Sequence, residues 1–298
     1  MCQSFTCQSF TFQSFTFQSF PPTHRTGFET MNTMASSLTR QIARLRPDGR
    51  LTTYRDRYRI ASLLSFVPLP LARIFALFGS DKERQGGHAY GQAYEGLLRK
   101  LRYKPVKLLE IGLLAGDSLL SWRAYFPFAT TIGIDIEPKQ HMAGNRTRIY
   151  QADQGSGADL TKLCQQEGPF DVILDDGSHY NHHQLFSFRH LFPHLKDGGL
   201  YIIEDVQTSF WTGRYFNMTW DGAHVADPEF PQTCYGVFLE LAKYLNHMEF
   251  STTRGTDPAM MDLGRQIVRI AFEHNIITIW KGRNDLPSNA IGPNRGAD

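Results

Sequence analysis

The sequence is short of the features that mark a secreted, membrane-spanning or nucleic-acid-binding chain. Its 298 residues hold four cysteines, Cys2, Cys7, Cys164 and Cys234, and none falls in a Cys-x-x-Cys pair. That argues against a disulfide framework or a zinc site and fits a reducing cytoplasm. Charge of one sign is also lacking. With 31 Lys and Arg against 29 Asp and Glu, the formal net charge is +2, which sets up no strong field for nucleic acid or an anionic membrane. No basic segment precedes an apolar run near the N-terminus, so a secretory signal is excluded. A long uninterrupted hydrophobic run is missing too. Ile60 to Phe78 is mostly apolar, but Pro68, Pro70 and Arg73 interrupt it. Two prolines remove backbone donors, and a mid-segment arginine is costly in hydrocarbon. The stretch is expected to form a broken pair of short helices packed on the domain or on a sister subunit of a homo-oligomer, with no firm membrane association.

The remaining composition, 41% hydrophobic and 20% charged, is that of a globular chain. Residues 1–30 differ: QSFTC, QSFTF, QSFTF and QSF follow one another from Gln3 to Phe20. A period of five suits neither a helix face nor an alternating strand. The segment is expected to be a disordered leader or translated upstream sequence, with Met31 or Met34 as the natural start. Residues 31–79 are expected to form a helical extension, in which the Arg-rich stretch Arg40 to Arg59 is a solvated helix rather than a transit peptide. Residues 285–298 are expected to be a flexible tail.

From residue 80 the chain alternates helical and strand-like segments. Tyr90, Tyr94, Leu97, Leu98 and Leu101 recur at helical spacing. Val106 to Ile111 reads as a buried strand, followed by a helix around Ser118 to Tyr125. Thr131 to Ile136, Arg148 to Gln151, Asp171 to Leu174 and Leu200 to Ile203 are the next strands. Helices lie over Asp159 to Gln166 and through Leu185, Phe188, Leu191, Phe192 and Leu195. The last of these is expected to stop at Lys196-Asp197-Gly198-Gly199, a helix-stop pattern. Such alternation implies a parallel sheet covered on both faces. Ile267 to Phe272 and Ile276 to Trp280, joined through Glu273-His274-Asn275, read as an antiparallel hairpin. A Rossmann-like, mostly parallel seven-stranded α/β sheet ending in such a hairpin fits a class I methyltransferase better than a dinucleotide dehydrogenase. The stretch Gln207 to Gly236 lacks periodicity. Its aromatics (Phe210, Trp211, Tyr215, Phe216 and Trp220) suit either a lid over an organic substrate or a packed surface loop.

The first strand runs into a turn with the pattern E-x-G-x-x-x-G-x-S, made of Glu110, Gly112, Gly116 and Ser118. It is not the G-x-G-x-x-G of a pyrophosphate cradle. Adenosylmethionine has no phosphate, and Glu110 at a strand end can meet its ammonium. Asp135 ends strand two, 25 residues after Glu110, where a carboxylate can accept both ribose hydroxyls. Asp153 follows strand three; it can meet the adenine amine or serve only as a turn residue.

Asp175-Asp176-Gly177-Ser178-His179 leaves strand four, and Glu204-Asp205 leaves strand five 25 residues after His179. Neighbouring strand ends would bring Asp176, Glu204 and Asp205 into one small space. Carboxylates that close raise one another's pKa unless a cation neutralises them. Oxygen ligands favour Mg²⁺, Mn²⁺ or Ca²⁺ over zinc. The competing reading has the first acid pair capping the next helix and the second starting a loop. His179 sits beside the acids, where a neutral imidazole can accept a hydroxyl proton. His182, His183, His190 and His194 are expected on the helix surface. His179 and His183 do not form an HExxH zinc pair, because Tyr180 replaces the glutamate.

The segments SDKERQGGHAY, KLLEIG, GIDI, ILDDGSH and GGLYIIEDVQTSFW, over about residues 80 to 282, resemble the metal-dependent sugar O-methyltransferases of macrolide biosynthesis. The resemblance implies a methyltransferase domain over residues 80–284, with adenosylmethionine and Mg²⁺ (or Mn²⁺) as cofactors. It implies metal ligation by Asp176, Glu204 and Asp205, with His179 as general base. It implies cofactor contacts at Glu110, Gly112 and Asp135, joined by Gly116, Ser118, Asp153 and Asp175, and by Lys82, His88 and Tyr90 at the pocket entry. The acceptor implied is a hydroxyl on a glycoside or polyhydroxylated natural product. An NAD-dependent oxidoreductase and a non-catalytic binding protein of the same fold are the alternatives. The chain departs from those enzymes in its shorter N-terminal region.

Overall fold

The computed structural model describes residues 53–83, 88–210, 233–250 and 254–288, all within the unit Gly49–Asp298. The leader, residues 31–52 of the extension, Trp211, Tyr215, Phe216 and Trp220 of the candidate lid, and residues 289–298 of the tail lie outside the described residues.

The apolar runs become strands. These are β1 (Lys107–Ile111), β2 (Thr130–Asp135), β3 (Thr147–Gln151), β4 (Phe170–Asp175), β5 (Leu195–Glu204), β6 (Ile267–Glu273) and β7 (Ile276–Lys281). They form one sheet in the order β3-β2-β1-β4-β5-β7-β6. Pairing is parallel from β3 to β5 and antiparallel for β5 with β7 and β7 with β6. The β6–β7 connection is a two-residue turn in which Asn275 adopts φ 61°, a conformation asparagine tolerates.

Before the sheet come α1 (Tyr54–Leu64), α2 (Leu71–Phe78) and α3 (Gly91–Leu98). Within and after it lie α4 (Asp117–Tyr125), α5 (Gly157–Glu167), α6 (Asn181–Leu191), α7 (Cys234–Tyr244) and α8 (Pro258–Gln266). Ile60 to Phe78 is indeed two short helices, broken at Pro68 and Pro70, and both pack on α4. No helix among the described residues is long and apolar enough to cross a membrane. Thr53 starts α1 by accepting a hydrogen bond from the Asp56 amide, a normal N-cap arrangement.

Strand side chains alternate between two faces. Leu109 and Ile111 of β1, and Tyr201 and Ile203 of β5, join a core with residues of α5, α6, α7 and α8. Glu110 and Glu204 therefore point to the opposite face. There, Phe75, Tyr94 and Trp122 meet edge to face with centroids 5.1–6.0 Å apart. All three are fully buried, and each such ring contributes roughly 1.5–3 kcal/mol by leaving water.

One boundary differs from the sequence expectation. The helix expected to stop at Lys196 to Gly199 ends at Leu191. Pro193 has no N–H to continue it; a single 3₁₀ turn follows over Phe192–His194, and β5 begins at Leu195. Lys196 to Gly199 lie inside β5 as a bulge. Phe170 pairs with Leu195 but Val172 with Leu200, and Gly198 at φ 80° takes the left-handed conformation the bulge requires.

Candidate active site

The C-terminal ends of β1, β2, β3 and β4 open onto a cavity of about 780 Å³. Ligands in α/β sheets bind at this end of the strands. Gly112 is set at φ 83°, and a Cβ there would stand 2.1 Å from the Asp176 carbonyl oxygen. Only glycine allows β1 and β4 to approach so closely. Asp135 organises the same turn. Its Oδ2 accepts from Leu113 N and its Oδ1 from Glu137 N, both at 2.9 Å.

Of the residues expected to contact a cofactor, Gly112, Ser118, Asp135 and Asp153 line the cavity. Asp153 also accepts from Gly155 N at 2.8 Å, so its turn role and its cavity position coexist. Gly116 shapes the turn from outside the lining. Glu110 is fully buried, accepts from Trp122 Nε1 at 3.1 Å and does not line the cavity. Burial raises its carboxyl pKa to about 7. Asp175 is also fully buried away from the lining, with burial raising it to about 7. Neither Asp175 nor Asp176 caps α6, whose N-cap is Tyr180. His183, expected on the surface, lines the cavity with its Nδ1 2.8 Å from Ser178 Oγ. His182 is buried, whereas His194 is exposed.

Sequence reasoning missed Gln154. Its Oε1 accepts from Ser178 N at 2.7 Å, while Nε2 donates to Asp175 Oδ1 at 3.1 Å and to Ser187 Oγ at 3.0 Å. This buried amide fixes the Asp175–His179 turn. Glutamine after Asp153 carried no visible signal, because its partners lie 21–33 residues away.

Beside the cavity, the acids of β4 and β5 meet. Ligand atoms of Asp176, His179 and Asp205 lie within 4.8 Å of one another. Asp176 and His179 line the cavity; Asp205 sits behind them. Glu204 is nearly fully buried, and both its oxygens accept from Lys82 Nζ at 2.7–2.8 Å. Lys82 Nζ also meets Asp176 Oδ2 at 2.5 Å, and the Tyr94 hydroxyl donates to Glu204. Lys82, expected at the cofactor, thus stands between two of the expected metal ligands. Burial raises the carboxyl pKa of Asp176 and Glu204, with Lys82 opposing the rise in both. For Lys82 itself, burial acts against the ammonium, but Asp176 and Glu204 outweigh it and hold its pKa well above the usual range.

Tyr90 and His88 serve Asp205 and do not line the cavity. The Tyr90 hydroxyl donates to Asp205 Oδ1 at 2.7 Å, His88 Nε2 lies 3.3 Å from the same oxygen, and the two rings stack. His179 and Asp205 both have positive φ, 60° and 54°. Such strain in non-glycine residues concentrates at functional sites. Among the described residues, His179 makes no side-chain hydrogen bond; its Nδ1 is unpartnered and its Nε2 is 3.5 Å from Asp205 Oδ2. The carboxylate oxygens suit Mg²⁺ or Mn²⁺. Three carboxylates and one ammonium leave two negative charges, which one divalent cation would balance. A cation drawing on Glu204 competes with Lys82 for it.

A model of a methyltransferase domain matches residues 109–206. The mycinamicin VI 2''-O-methyltransferase of Micromonospora griseorubida is 37% identical over 209 residues, covering 66% of this chain and 49% of that protein. The demethylmacrocin O-methyltransferase of Streptomyces fradiae is 35% identical over 204 residues, again covering 66% and 49%. The chain spans about half the length of these curated relatives. Among solved structures, the MycE methyltransferase from the mycinamycin biosynthetic pathway, in complex with Mg and SAH, superposes with a TM-score of 0.65 at 32% identity, covering 74% of this chain and 57% of that one. Strand order and sequence agree: this chain has the fold of a class I methyltransferase and is similar to the sugar O-methyltransferases that include the mycinamicin and demethylmacrocin enzymes.

Proposed function

We propose that this chain transfers a methyl group from adenosylmethionine to a hydroxyl on a glycosylated small molecule, with Mg²⁺ (or Mn²⁺) at the acid cluster. The observation that carries this reading is the meeting of Asp176, His179 and Asp205 at one edge of the cavity. It places an acid group and an imidazole beside the space a methyl donor would fill. The MycE structures support the cofactor pair, one of them being a complex with Mg, SAH and mycinamycin VI.

In this reading, Asp176, Glu204 and Asp205 would hold the cation, which would supply electrostatic stabilisation to an acceptor oxygen losing its proton. Tyr90 and His88 orient Asp205, and Lys82 and Tyr94 position Glu204. His179 takes the hydroxyl proton. The acceptor oxygen then bonds the methyl carbon as the carbon–sulfur bond breaks, leaving adenosylhomocysteine (SAH). Much of the rate gain comes from holding donor and acceptor in line. The Gly112 turn and Asp135 form the donor side of the cavity. An NAD-dependent reading loses ground because the turn lacks the third glycine of a pyrophosphate cradle.

The test is turnover of adenosylmethionine with a panel of glycosides bearing free sugar hydroxyls, followed by mass spectrometry. The expected product gains one methyl group, EDTA stops its formation, and Mg²⁺ restores it. Turnover indifferent to EDTA would remove the cation from the reading. Methylation of aglycone hydroxyls alone would replace the acceptor class.

A further inference from the structure

The donor cavity has two walls that come from distant parts of the chain. Gly79 and Asp81, just after α2, form part of one wall; Leu114, Ala115, Asp117 and Ser118, at the start of α4, form part of the other. A single guanidinium joins them. Arg57 Nη2 donates to the Phe78 carbonyl oxygen at 2.7 Å and to Asp117 Oδ1 at 2.6 Å. Phe78 is the last residue of α2, and Asp117 is the first of α4. One planar nitrogen with two hydrogens can serve both acceptors at once, which an ammonium on a flexible stem does less well.

The rest of α1 strengthens the connection. Tyr54, one turn before Arg57, places its ring against Gly116, where a Cβ would stand 2.8 Å from Tyr54 Cε2. The Tyr54 hydroxyl is 3.4 Å from the Gly116 carbonyl oxygen. Tyr58, on the next position of the same face, meets Arg146 N at 3.2 Å and Thr147 Oγ1 at 3.3 Å at the start of β3. The turn so braced is not relaxed at Leu114, whose φ is 44°. A non-glycine residue keeps the left-handed conformation only when its surroundings fix it.

Resting on the donor-site reading above, we infer that Arg57 is a positioning residue for the methyl donor, stapling the two walls of its cavity through Phe78 and Asp117. Arg57 does not line the cavity and acts through Asp117 and the Gly116 turn. Its side chain and that of Asp117 are about a quarter exposed, at 28% and 25%, and ion pairs this open add little to global stability. Their effect falls on pre-organisation, whose loss weakens a ligand without a new contact being broken. Loss of the staple therefore acts on donor affinity more than on turnover at saturation.

The experiment is calorimetric titration of the full chain with SAH, with initial rates measured against adenosylmethionine, for wild type, R57A and R57K. In R57A, SAH is expected to bind about tenfold more weakly and the donor KM to rise by a similar factor, with kcat changed by less. R57K should recover part of the loss, because an ammonium keeps the charge and the donors but lacks the fixed planar geometry of the guanidinium. The inference is overturned if R57A binds SAH within about twofold of wild type. It is equally overturned if kcat falls as far as KM rises and R57K does no better than R57A, since a merely structural residue behaves that way. Should R57A fail to fold, R57Q and R57K decide by the same comparison. A wild-type chain that gives no heat with SAH removes the donor-site reading itself and the staple with it, and is recognised because the loss precedes any substitution.

Discussion

The Thr208 hydroxyl donates to the backbone carbonyl of His179 at 2.8 Å and stands 3.4 Å from the carbonyl of Asp205. One side chain therefore braces two residues of the acid cluster, both with left-handed backbones. T208V keeps the shape and removes the hydroxyl. A lost hydrogen bond of this kind costs about 1 kcal/mol, which a melting curve detects. The larger effect is expected on catalysis, because small misplacements of His179 are costly. We expect kcat/KM to fall about tenfold or more while Tm drops by a few degrees. Wild-type kinetics in T208V would show that the brace is dispensable.

Lys82 binds both Asp176 and Glu204, so it serves as the resident cation of the acid cluster. K82M leaves those carboxylates without their ammonium, although the Tyr94 hydroxyl still donates to Glu204. Removing one member of a buried pair costs about 3–5 kcal/mol, and the metal-free variant is expected to be destabilised on that scale. Because the cluster then carries one more uncompensated negative charge, Mg²⁺ should raise the Tm of K82M more than that of wild type. Equal Mg²⁺ shifts in the two proteins would mean that Lys82 and the cation do not share the same carboxylates.

Much of this was legible in the sequence. Short apolar runs located the strands, and the Asp175–His179 and Glu204–Asp205 motifs fell at adjacent strand ends because β4 and β5 pair in parallel. What was not legible depended on long-range contacts. Lys82 reaches Asp176 across 94 positions and Glu204 across 122. Tyr94 read as one more core residue of a helix face, yet its hydroxyl binds Glu204. Arg57 belonged to an Arg-rich stretch expected to be solvated, and its two acceptors are set by the fold. Lys196 to Gly199 had the local chemistry of a helix stop, but strand pairing with β4 outweighed it. Glu110 sat at the right place in its motif for a donor contact. The pleat sets it on the face occupied by Trp122, whose Nε1 donates to it.

His179 and Asp176 separate two contributions to the proposed chemistry. H179A should slow turnover by orders of magnitude, about 10²–10⁴-fold for a general base, with SAH affinity nearly unchanged. D176N should remove the response to Mg²⁺ along with activity, because Asp176 joins His179 and Asp205 in the same small space. Rates for H179A that match wild type would end the base assignment. A D176N protein still activated by Mg²⁺ would move the cation elsewhere.

Glu110 ties stability to pH. Burial raises its carboxyl from 4.5 to about 7 in the folded chain, and it is fully buried. Between those values the native state holds a proton that the unfolded state has released. Linkage then makes this contribution fully present below about pH 4.5 and lost as pH rises through about 7. The size is on the order of 3 kcal/mol, from the span between the two pKa values at 1.36 kcal/mol per unit. E110Q keeps an acceptor for Trp122 Nε1 and has no charge to desolvate. It should therefore be more stable than wild type in mildly alkaline buffer, with the advantage disappearing toward about pH 5. Asp175 is also raised to about 7 by burial, but it is present in both proteins, so the difference between their stability curves isolates Glu110. Denaturant unfolding across this range measures that difference. Parallel curves for the two proteins would show that Glu110 is not protonated in the fold and that its carboxylate is neutralised by Lys82 instead.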